Sequence, residues 1–254
     1  MKKLAIIVGS EGAIGSECVK KFKKKYECVR VDLSGKNGSL KLDCSSNQGL
    51  LDLVQHIKAL NKPVEVLVNS AAANAWDMPK TDSIADRWDR TLNNDLRYIY
   101  LLTEAIVPLM SKNGTGQIVN IGSIAGTILG SKSVPYAAAK AAINGITKSH
   151  ARLYGSLNIK VNCIAPGIID NKRTCVAEDE VKFGYNTAIK DQTPLNRWGN
   201  PEEIANLVYF IGSGGCPFLT GQTIIVDGGA TLTCGLRVDD TGPFKWDMFP
   251  LERS

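Results

Sequence analysis

Tyr136 and Lys140 are separated by three residues in Ser-Val-Pro-Tyr-Ala-Ala-Ala-Lys, and Ser123 precedes the tyrosine by thirteen positions in Val-Asn-Ile-Gly-Ser-Ile-Ala-Gly. If residues 134 to 150 are helical, positions 136 and 140 lie on one face a turn apart, so a phenol and an ammonium point into the same space. A cation beside a phenol stabilises phenolate over a neutral hydroxyl that otherwise ionises at about pH 10. Such a phenol can give or take the proton of an alcohol. A Tyr-x-x-x-Lys pair on its own equally describes a surface tyrosine beside a solvated lysine, so the elements around it must decide.

The N-terminus supplies the first of those elements. Leu4-Ala5-Ile6-Ile7-Val8 is a continuous apolar run, as expected of a strand buried on both faces of a parallel sheet. Gly9-Ser10-Glu11-Gly12-Ala13-Ile14-Gly15 follows, and Ile14, Cys18, Val19 and Phe22 then recur at helical spacing. Strand, glycine turn and helix together form a cradle in which bare amides and a helix N-terminus hold a pyrophosphate. Glu27-Cys28-Val29-Arg30-Val31-Asp32 reads as the next strand and ends in a carboxylate about 20 residues after the glycine turn, where it can accept from adenosine ribose hydroxyls. Asp32 and Glu11 both oppose a 2′-phosphate, which favours NAD over NADP. Arg30 is the counter-argument, two residues back from the strand end.

With these residues in view, the chain resembles the short-chain dehydrogenase/reductase family from Leu4 to about Gly229. The likeness is carried by the glycine turn, by Leu67-Val68-Asn69-Ser70-Ala71-Ala72, by Ser123, Tyr136 and Lys140, and by Asn162-Cys163-Ile164-Ala165-Pro166-Gly167. It continues through Arg197-Trp198-Gly199-Asn200-Pro201-Glu202-Glu203-Ile204-Ala205 and Thr220-Gly221-Gln222-Thr223-Ile224-Ile225-Val226-Asp227-Gly228-Gly229. The resemblance implies a single-domain, doubly wound Rossmann fold, α/β in class, with a parallel sheet of about seven strands between helices. It implies hydride transfer between nicotinamide and a carbonyl or carbinol carbon, with Ser123 holding the reacting oxygen, Tyr136 as acid or base and Lys140 supporting both tyrosine and nicotinamide ribose. The resemblance further implies that NAD is held by Gly9, Ser10, Glu11, Ala13, Ile14 and Gly15, and by Asp32 and Leu33 at the adenosine. Asp43 and Cys44 fall near the adenine, and Asn69, Ser70 and Ala71 beneath the cofactor. Tyr136 and Lys140, then Pro166, Gly167, Ile169 and Asn171, fall at the nicotinamide end.

Several positions depart from the family pattern. Against Thr-Gly-x-x-x-Gly-x-Gly the aligned residues are Val8, Gly9, Ala13 and Gly15, so the middle glycine carries a methyl group. Asn-Asn-Ala-Gly is replaced by Asn69, Ser70, Ala71 and Ala72. Counting from Trp88 and Leu96 puts Asp95 where the family has the asparagine of its proton relay, with Asn94 one residue away. An ionised Asp95 accepts hydrogen bonds but cannot donate as an amide does, and its charge favours a protonated Lys140. Asn171 stands in place of a threonine and keeps both a donor and an acceptor.

Composition is consistent with one well-buried α/β domain: 254 residues, 44% hydrophobic, with strand and helix patterns alternating throughout. Strands are expected at 4 to 8, 27 to 32, 39 to 42, 64 to 69, 116 to 121, 158 to 164 and 222 to 227. Helices are expected near 12 to 25, 47 to 60, 86 to 111, 134 to 155 and 201 to 212. Met1-Lys2-Lys3 leads directly into the first strand, so neither a signal peptide nor a membrane helix is expected, and the location expected is cytoplasmic. The seven cysteines form no Cys-x-x-Cys pair and His56 and His150 have no neighbouring ligands, so no metal site is expected. The formal charge of +5 is concentrated in Lys20, Lys21, Lys23, Lys24 and Lys25, which are read as solvated cations closing the first helix rather than a nucleic-acid patch.

The expected partners are a small-molecule substrate and further copies of the chain, as a homotetramer or dimer. The helices near 86 to 111 and 134 to 155 carry Leu101, Ile106, Leu109, Ala141, Ile143 and Ile146, more apolar surface than one face needs. Three alternatives accompany this reading: a 3-oxoacyl-(acyl-carrier-protein) reductase-like enzyme; an inactive NAD-binding regulatory protein, against which the intact Ser123, Tyr136 and Lys140 argue; and an enoyl reductase or sugar-nucleotide epimerase, against which stand the wider tyrosine–lysine spacing usual in the former and the longer C-terminal region usual in the latter. Trp76, Met78, residues 124 to 134 and residues 170 to 195 are expected around the substrate. Residues 1 to 229 are read as the catalytic domain and 230 to 254 as an ordered arm, because Phe244, Trp246, Met248, Phe249 and Leu251 crowd one short stretch.

Overall fold

The structure is a computed structural model in which residues 2–72, 81–131, 133–170 and 193–232 are described. Trp76, Met78, Asn171, most of the 170 to 195 span and the C-terminal segment from 233 lie outside the described residues. The strands are β1 (Leu4–Val8), β2 (Glu27–Asp32), β3 (Leu40–Lys41), β4 (Val64–Asn69), β5 (Gly116–Ile121), β6 (Ile159–Pro166) and β7 (Thr223–Val226). The helices are α1 (Ala13–Phe22), α2 (Asn47–Ala59), α3 (Ile84–Leu92), α4 (Tyr98–Ser111), α5 (Val134–Tyr154) and α6 (Pro201–Gly212), with a π-helical turn at Asn93–Arg97 joining α3 to α4.

All strand pairs are parallel, and the sheet runs β3-β2-β1-β4-β5-β6-β7. Parallel neighbours need crossovers, and the helices that make them cover both faces, so the strands read as apolar runs rather than alternating ones. β1 shows the division directly. Leu4, Ile6 and Val8 enter one core with Leu53, Leu67, Leu102, Ile106 and Ile143, whereas Ala5 and Ile7 enter the other with Phe22, Val66, Val119, Ile204 and Val208. The first core lies under α2, α4 and α5, the second under α1 and α6. Each fully buried Leu, Ile or Val contributes roughly 1.5–3 kcal/mol relative to exposure.

Chain order proceeds outward in both directions from β1 and β4, so the sheet has a topological switch between them. In such sheets the crevice at the carboxyl ends of the strands is where ligands bind. Val8, Asn69, Ile121 and Pro166 bring the glycine turn, the Ser70-Ala71 segment, the Ser123 turn and Gly167 to that edge.

Several expected boundaries move. β3 is two residues long, and α1 stops at Phe22, so Lys20 and Lys21 occupy its last turn while Lys23, Lys24 and Lys25 lie beyond it. Lys20 and Lys21 are paired with Glu17 and Glu202 at 2.6 and 2.5 Å. The single helix expected from 86 to 111 begins earlier and is interrupted. Ser83 and Asp86 form a capping box, the Ser83 hydroxyl accepting from the Asp86 amide at 3.1 Å and the Asp86 carboxylate accepting from the Ser83 amide at 3.1 Å. The interruption is the π turn. Of the residues expected to pair subunits, Ile106 and Ile143 are fully buried in the chain's own core, while Tyr100, Val134 and Leu153 are the large apolar side chains that α4 and α5 leave exposed.

Among the described residues, no helix is long and apolar enough to cross a membrane, and no group of three or more His, Cys, Asp or Glu could hold a metal ion. Cys18, Cys44 and Cys163 are buried, with Cys28 and Cys216 half-buried, all free thiols. Burial pushes Cys18 and Cys44 up to about 12 and Cys163 to about 11.

Candidate active site

α5 begins with Pro135 in its first turn, where the missing amide costs nothing. The next turns present Tyr136 and Lys140 on one face, with the Lys140 Nζ 5.5 Å from the centre of the Tyr136 ring. Lys140 is 2% exposed and donates from Nζ to the carbonyl of Ile121 at 3.3 Å, while Tyr136 is half-buried. An ammonium that deep has little water to share its charge, so its neighbours feel it more strongly than they would a surface lysine.

Ser123 follows β5 directly and caps a 3₁₀ turn at Ile124–Gly126, its Oγ accepting from the Ala125 amide at 3.2 Å. That bond uses the oxygen as acceptor and leaves the hydroxyl hydrogen free to donate. The turn is pressed onto α5. A Cβ on Gly126 would stand 2.2 Å from the carbonyl carbon of Lys140 and 2.4 Å from the Ala141 nitrogen. Asn144, one turn beyond Lys140 on the same face, donates to the Gly126 carbonyl at 2.8 Å and accepts from Thr223 Oγ1 at 3.1 Å. Sequence reading passed over Asn144, although its position four residues past Lys140 was a signal.

Asp95 sits in the middle of the π turn and is fully buried, whereas Asn94 is half-buried. The turn packs against α5, and Tyr98 at its end donates to the Ala71 carbonyl at 3.0 Å. Burial first and the Asp95 charge second push the Tyr98 phenol up. Beneath the site, Asn69 Nδ2 donates to Asn120 Oδ1 at 2.8 Å and Asn120 Nδ2 donates to Thr147 Oγ1 at 3.0 Å, a buried amide chain that ties β4 and β5 to α5.

The glycine turn hangs from the end of β2. Gly9 and Ser10 donate their amides to the Val31 carbonyl at 2.9 and 3.1 Å. Gly9 has φ +78°, and a Cβ there would meet the Ala71 nitrogen at 2.5 Å, while a Cβ on Gly15 would meet the Gly9 oxygen at 2.0 Å. Glycine is required at both positions. Ala13, the departure from the family pattern, is half-buried in the first turn of α1, as is Ile14. Gly12 caps α1 without any side-chain bond, so the first amides of the helix remain available to an anion. Ser10 is 3% exposed and its Oγ is buried without a hydrogen-bond partner, a polar atom aimed into the same turn.

Asp32 closes β2. Its carboxylate accepts from the Glu11 amide at 3.1 Å and the Ser34 amide at 2.9 Å. Leu33 beside it is 59% exposed, an apolar surface open to solvent. Asp43 is exposed and accepts from the Ser45 amide and hydroxyl at 2.9 and 2.7 Å, which curls the loop carrying buried Cys44. At the other end, Gly167 donates to the Val226 carbonyl at 2.9 Å, and Ile169 is buried in a bridge to Gly199. A separate cleft beside Ile168, Leu195, Arg197 and Gly228 offers no free acid or base. Arg197 there is paired with Glu203, and the Asp227 carboxylate accepts from the Gly229 and Thr231 amides.

A parallel seven-stranded α/β sheet with a glycine turn on its first strand and Ser123, Tyr136 and Lys140 at its carboxyl edge defines a class of dinucleotide-fold oxidoreductases. The chain belongs to the short-chain dehydrogenase/reductase family and is an oxidoreductase. Residues 14–231 match the family described as Enoyl-(Acyl carrier protein) reductase. Among characterised proteins it is similar to 3-oxoacyl-[acyl-carrier-protein] reductases. That of Chlamydia pneumoniae is 32% identical over 90% of this chain and 97% of its own, and that of Aquifex aeolicus 30% identical over 89% and 96%. Among solved structures, one titled ribose-5-phosphate isomerase from Brucella melitensis superposes with TM-score 0.76 at 26% identity, covering 90% of this chain and 92% of its own. A putative gluconate dehydrogenase from Agrobacterium tumefaciens gives 0.77 at 22% identity, covering 90% and 96%, which shows the shared fold.

Proposed function

We propose that this oxidoreductase uses NAD(H) to interconvert a secondary alcohol and a ketone on a small molecule, with Ser123, Tyr136 and Lys140 as catalytic residues. The observation that carries the reading is the contact between the Ser123 turn and α5 at Lys140, whose Nζ lies 5.5 Å from the centre of the Tyr136 ring. The glycine turn, the uncapped N-terminus of α1, the unpartnered Ser10 Oγ and the Asp32 carboxylate fit a dinucleotide. Gly9, Ser10, Gly12 and Gly15 would take the pyrophosphate, Asp32 the ribose, Leu33, Asp43 and Cys44 the adenine, and Pro166, Gly167 and Ile169 the nicotinamide end. The bound cofactor would supply the hydride acceptor or donor.

In oxidation, Tyr136 takes the proton of the substrate hydroxyl while Ser123 donates to the same oxygen. In reduction Tyr136 gives the proton to that oxygen as acid while Ser123 again donates a hydrogen bond. Lys140 stabilises the phenolate that begins oxidation and is left by reduction, and Asp95, on the turn packed against α5, would accept in the relay that exchanges the tyrosine's proton with solvent. Tyr136→Phe tests the assignment, because it removes only the proton-transfer group. Turnover should fall by at least about 10²-fold with the Kd for NAD unchanged. Near-normal turnover would overturn it.

A second reading is supported by the similarity to 3-oxoacyl-[acyl-carrier-protein] reductases. It gives the same chemistry a 3-oxoacyl thioester as substrate. Parallel assays with simple secondary alcohols and with 3-oxoacyl thioesters separate the two by kcat/KM. Assembly as a dimer or tetramer belongs to the same proposal, with exposed Tyr100 and Leu153 on α4 and α5 as the surface, and sedimentation at micromolar concentration as the test.

A further inference from the structure

We infer that Asn37 and Glu11 form a bridge across the adenosine end of the cofactor site, and that this bridge makes Glu11 a specificity-determining residue for the dinucleotide, with Asn37 as its positioning residue. The inference rests on the proposed NAD(H) site. Glu11 lies in the glycine turn and Asn37 in the loop that follows β2, yet Asn37 Nδ2 donates to Glu11 Oε2 at 2.5 Å. The Glu11 amide donates to Asp32 at 3.1 Å. Glu11 is therefore fixed at both ends, by its backbone to one wall of the site and by its side chain to the other.

The loop is shaped to deliver that contact. Gly35, Asn37 and Gly38 all have left-handed backbones, with φ +62°, +50° and +78°. Asparagine is among the few residues with a side chain that tolerate this region. Ser39 closes the turn by donating its amide and its hydroxyl to the Lys36 carbonyl, each at 2.9 Å. The chain thus curls back toward the glycine turn and presents the Asn37 amide to the Glu11 carboxylate.

The Asp32 carboxylate is thus held by the Glu11 and Ser34 amides and the Glu11 carboxylate by Asn37, in the loop that follows β2. A ribose 2′-hydroxyl has a hydrogen to give to either. A 2′-phosphate at neutral pH meets acceptors with acceptors and adds negative charge to negative charge. A free glutamate on a surface turn would swing into water and lose most of this effect to screening, so the Asn37 bond is what keeps the charge in place. Arg30 makes the balance sensitive. One of its guanidinium nitrogens lies 3.0 Å from the position a Cβ on Gly38 would take, so a cation carried by β2 stands against the same loop.

The test measures Kd for NAD and for NADP by fluorescence titration of the full chain in the wild type, Glu11→Gln, Asn37→Gly and the double variant. Glycine at 37 keeps the left-handed backbone, and thermal melts confirm that each variant is folded. Glu11→Gln should shift the ratio of the two Kd values toward NADP by about tenfold. Asn37→Gly should shift it the same way by about threefold, and the double variant should match Glu11→Gln alone, because the asparagine acts only through the glutamate. An unchanged ratio in Glu11→Gln, or an Asn37 effect that adds in full to that of Glu11, overturns the bridge. The wild-type ratio tests the NAD reading separately. A wild type that prefers NADP overturns that reading while the direction and coupling of the shifts still decide the bridge, and a wild type that binds neither overturns both.

Discussion

Gly126→Ala is the perturbation that reaches the proposed site most directly without touching a reacting group. The added methyl would lie 2.2 Å from the carbonyl carbon of Lys140, 2.4 Å from the Ala141 nitrogen and 2.6 Å from the Lys140 oxygen, all backbone atoms of α5, where ordinary contact begins at 3.4 Å. No side chain can rotate away, and α5 is anchored along its length to β6 and β5, so the lighter 3₁₀ turn must withdraw by about 1 Å. The withdrawal carries Ser123 with it and stretches the Asn144 bond to the Gly126 carbonyl, 2.8 Å in the unperturbed protein. Overpacking of this kind costs about 1–3 kcal/mol of stability, which for a domain of this size lowers Tm by roughly 2–12 °C. Misplacing a catalytic donor by about 1 Å can cost on the order of 10²-fold in rate. The expected result is a folded protein whose Kd for NAD matches the wild type and whose kcat falls by about 10²-fold. Stopped-flow or steady-state turnover, fluorescence titration and a thermal melt supply the three quantities. A variant with the expected loss of Tm but unchanged kcat would refute the argument that the Ser123 turn must be pressed on Lys140 for the reaction to occur.

Asp95→Asn is expected to retain or raise kcat, within about threefold, since an amide there can both donate and accept. A strong loss would show that the carboxylate itself is needed. His150 is 2% exposed and burial holds its imidazole below the ordinary 6.5, with Glu104 at 3.4 Å opposing in part. The unfolded chain therefore takes up that proton first, so stability is lost as pH falls below about 6.5, and Tm measured from pH 7.5 to 5 should drop less in His150→Gln than in the wild type. Cys18, Cys44 and Cys163 should resist alkylation in the native protein at pH 8 and react once it is unfolded, as read by peptide mass spectrometry. Fast native labelling of Cys163 would contradict its complete burial on β6.

The sheet was legible in the sequence because buried parallel strands are written as uninterrupted apolar runs. Leu4 to Val8 and Val64 to Asn69 fall at the expected bounds, and β6 merely continues to Pro166. The glycine turn was legible for a different reason. Its glycines are demanded by backbone contacts, and such demands leave a fixed spacing in the chain. Asn37 and Asn144 were not legible as functional positions, since each acts through a contact made across the fold, to Glu11 and to Gly126, that no local pattern announces. Lys23, Lys24 and Lys25 misled the helix boundary because a lysine run fits the last turn of a helix and the solvated loop after it equally well.

Counting from Trp88 and Leu96 puts Asp95 at the relay position, and the π turn shows how the fold presents it. A regular helix advances 3.6 residues per turn, so the place of each side chain around the axis can be projected from its number. A π turn closes its bond one residue later, so a segment that contains one carries an extra residue and every side chain after it is displaced around the axis relative to the projection. Asp95 lies at the centre of that displacement, fully buried, with Asn94 on the partly exposed side. The turn also does something a regular helix would not. It lets α3 approach α5 while the Tyr98 hydroxyl, at the start of α4, still reaches the Ala71 carbonyl at the end of the β4 segment. Arg97 ties the same turn to the segment between β3 and α2, donating to the Ser45 carbonyl and, at 3.2 Å, to Asn47 Oδ1. One irregular turn therefore touches the helix of Tyr136 and Lys140, the segment after β4 and the segment before α2 at once, and regularising it by deleting a residue would have to break at least one of those three contacts.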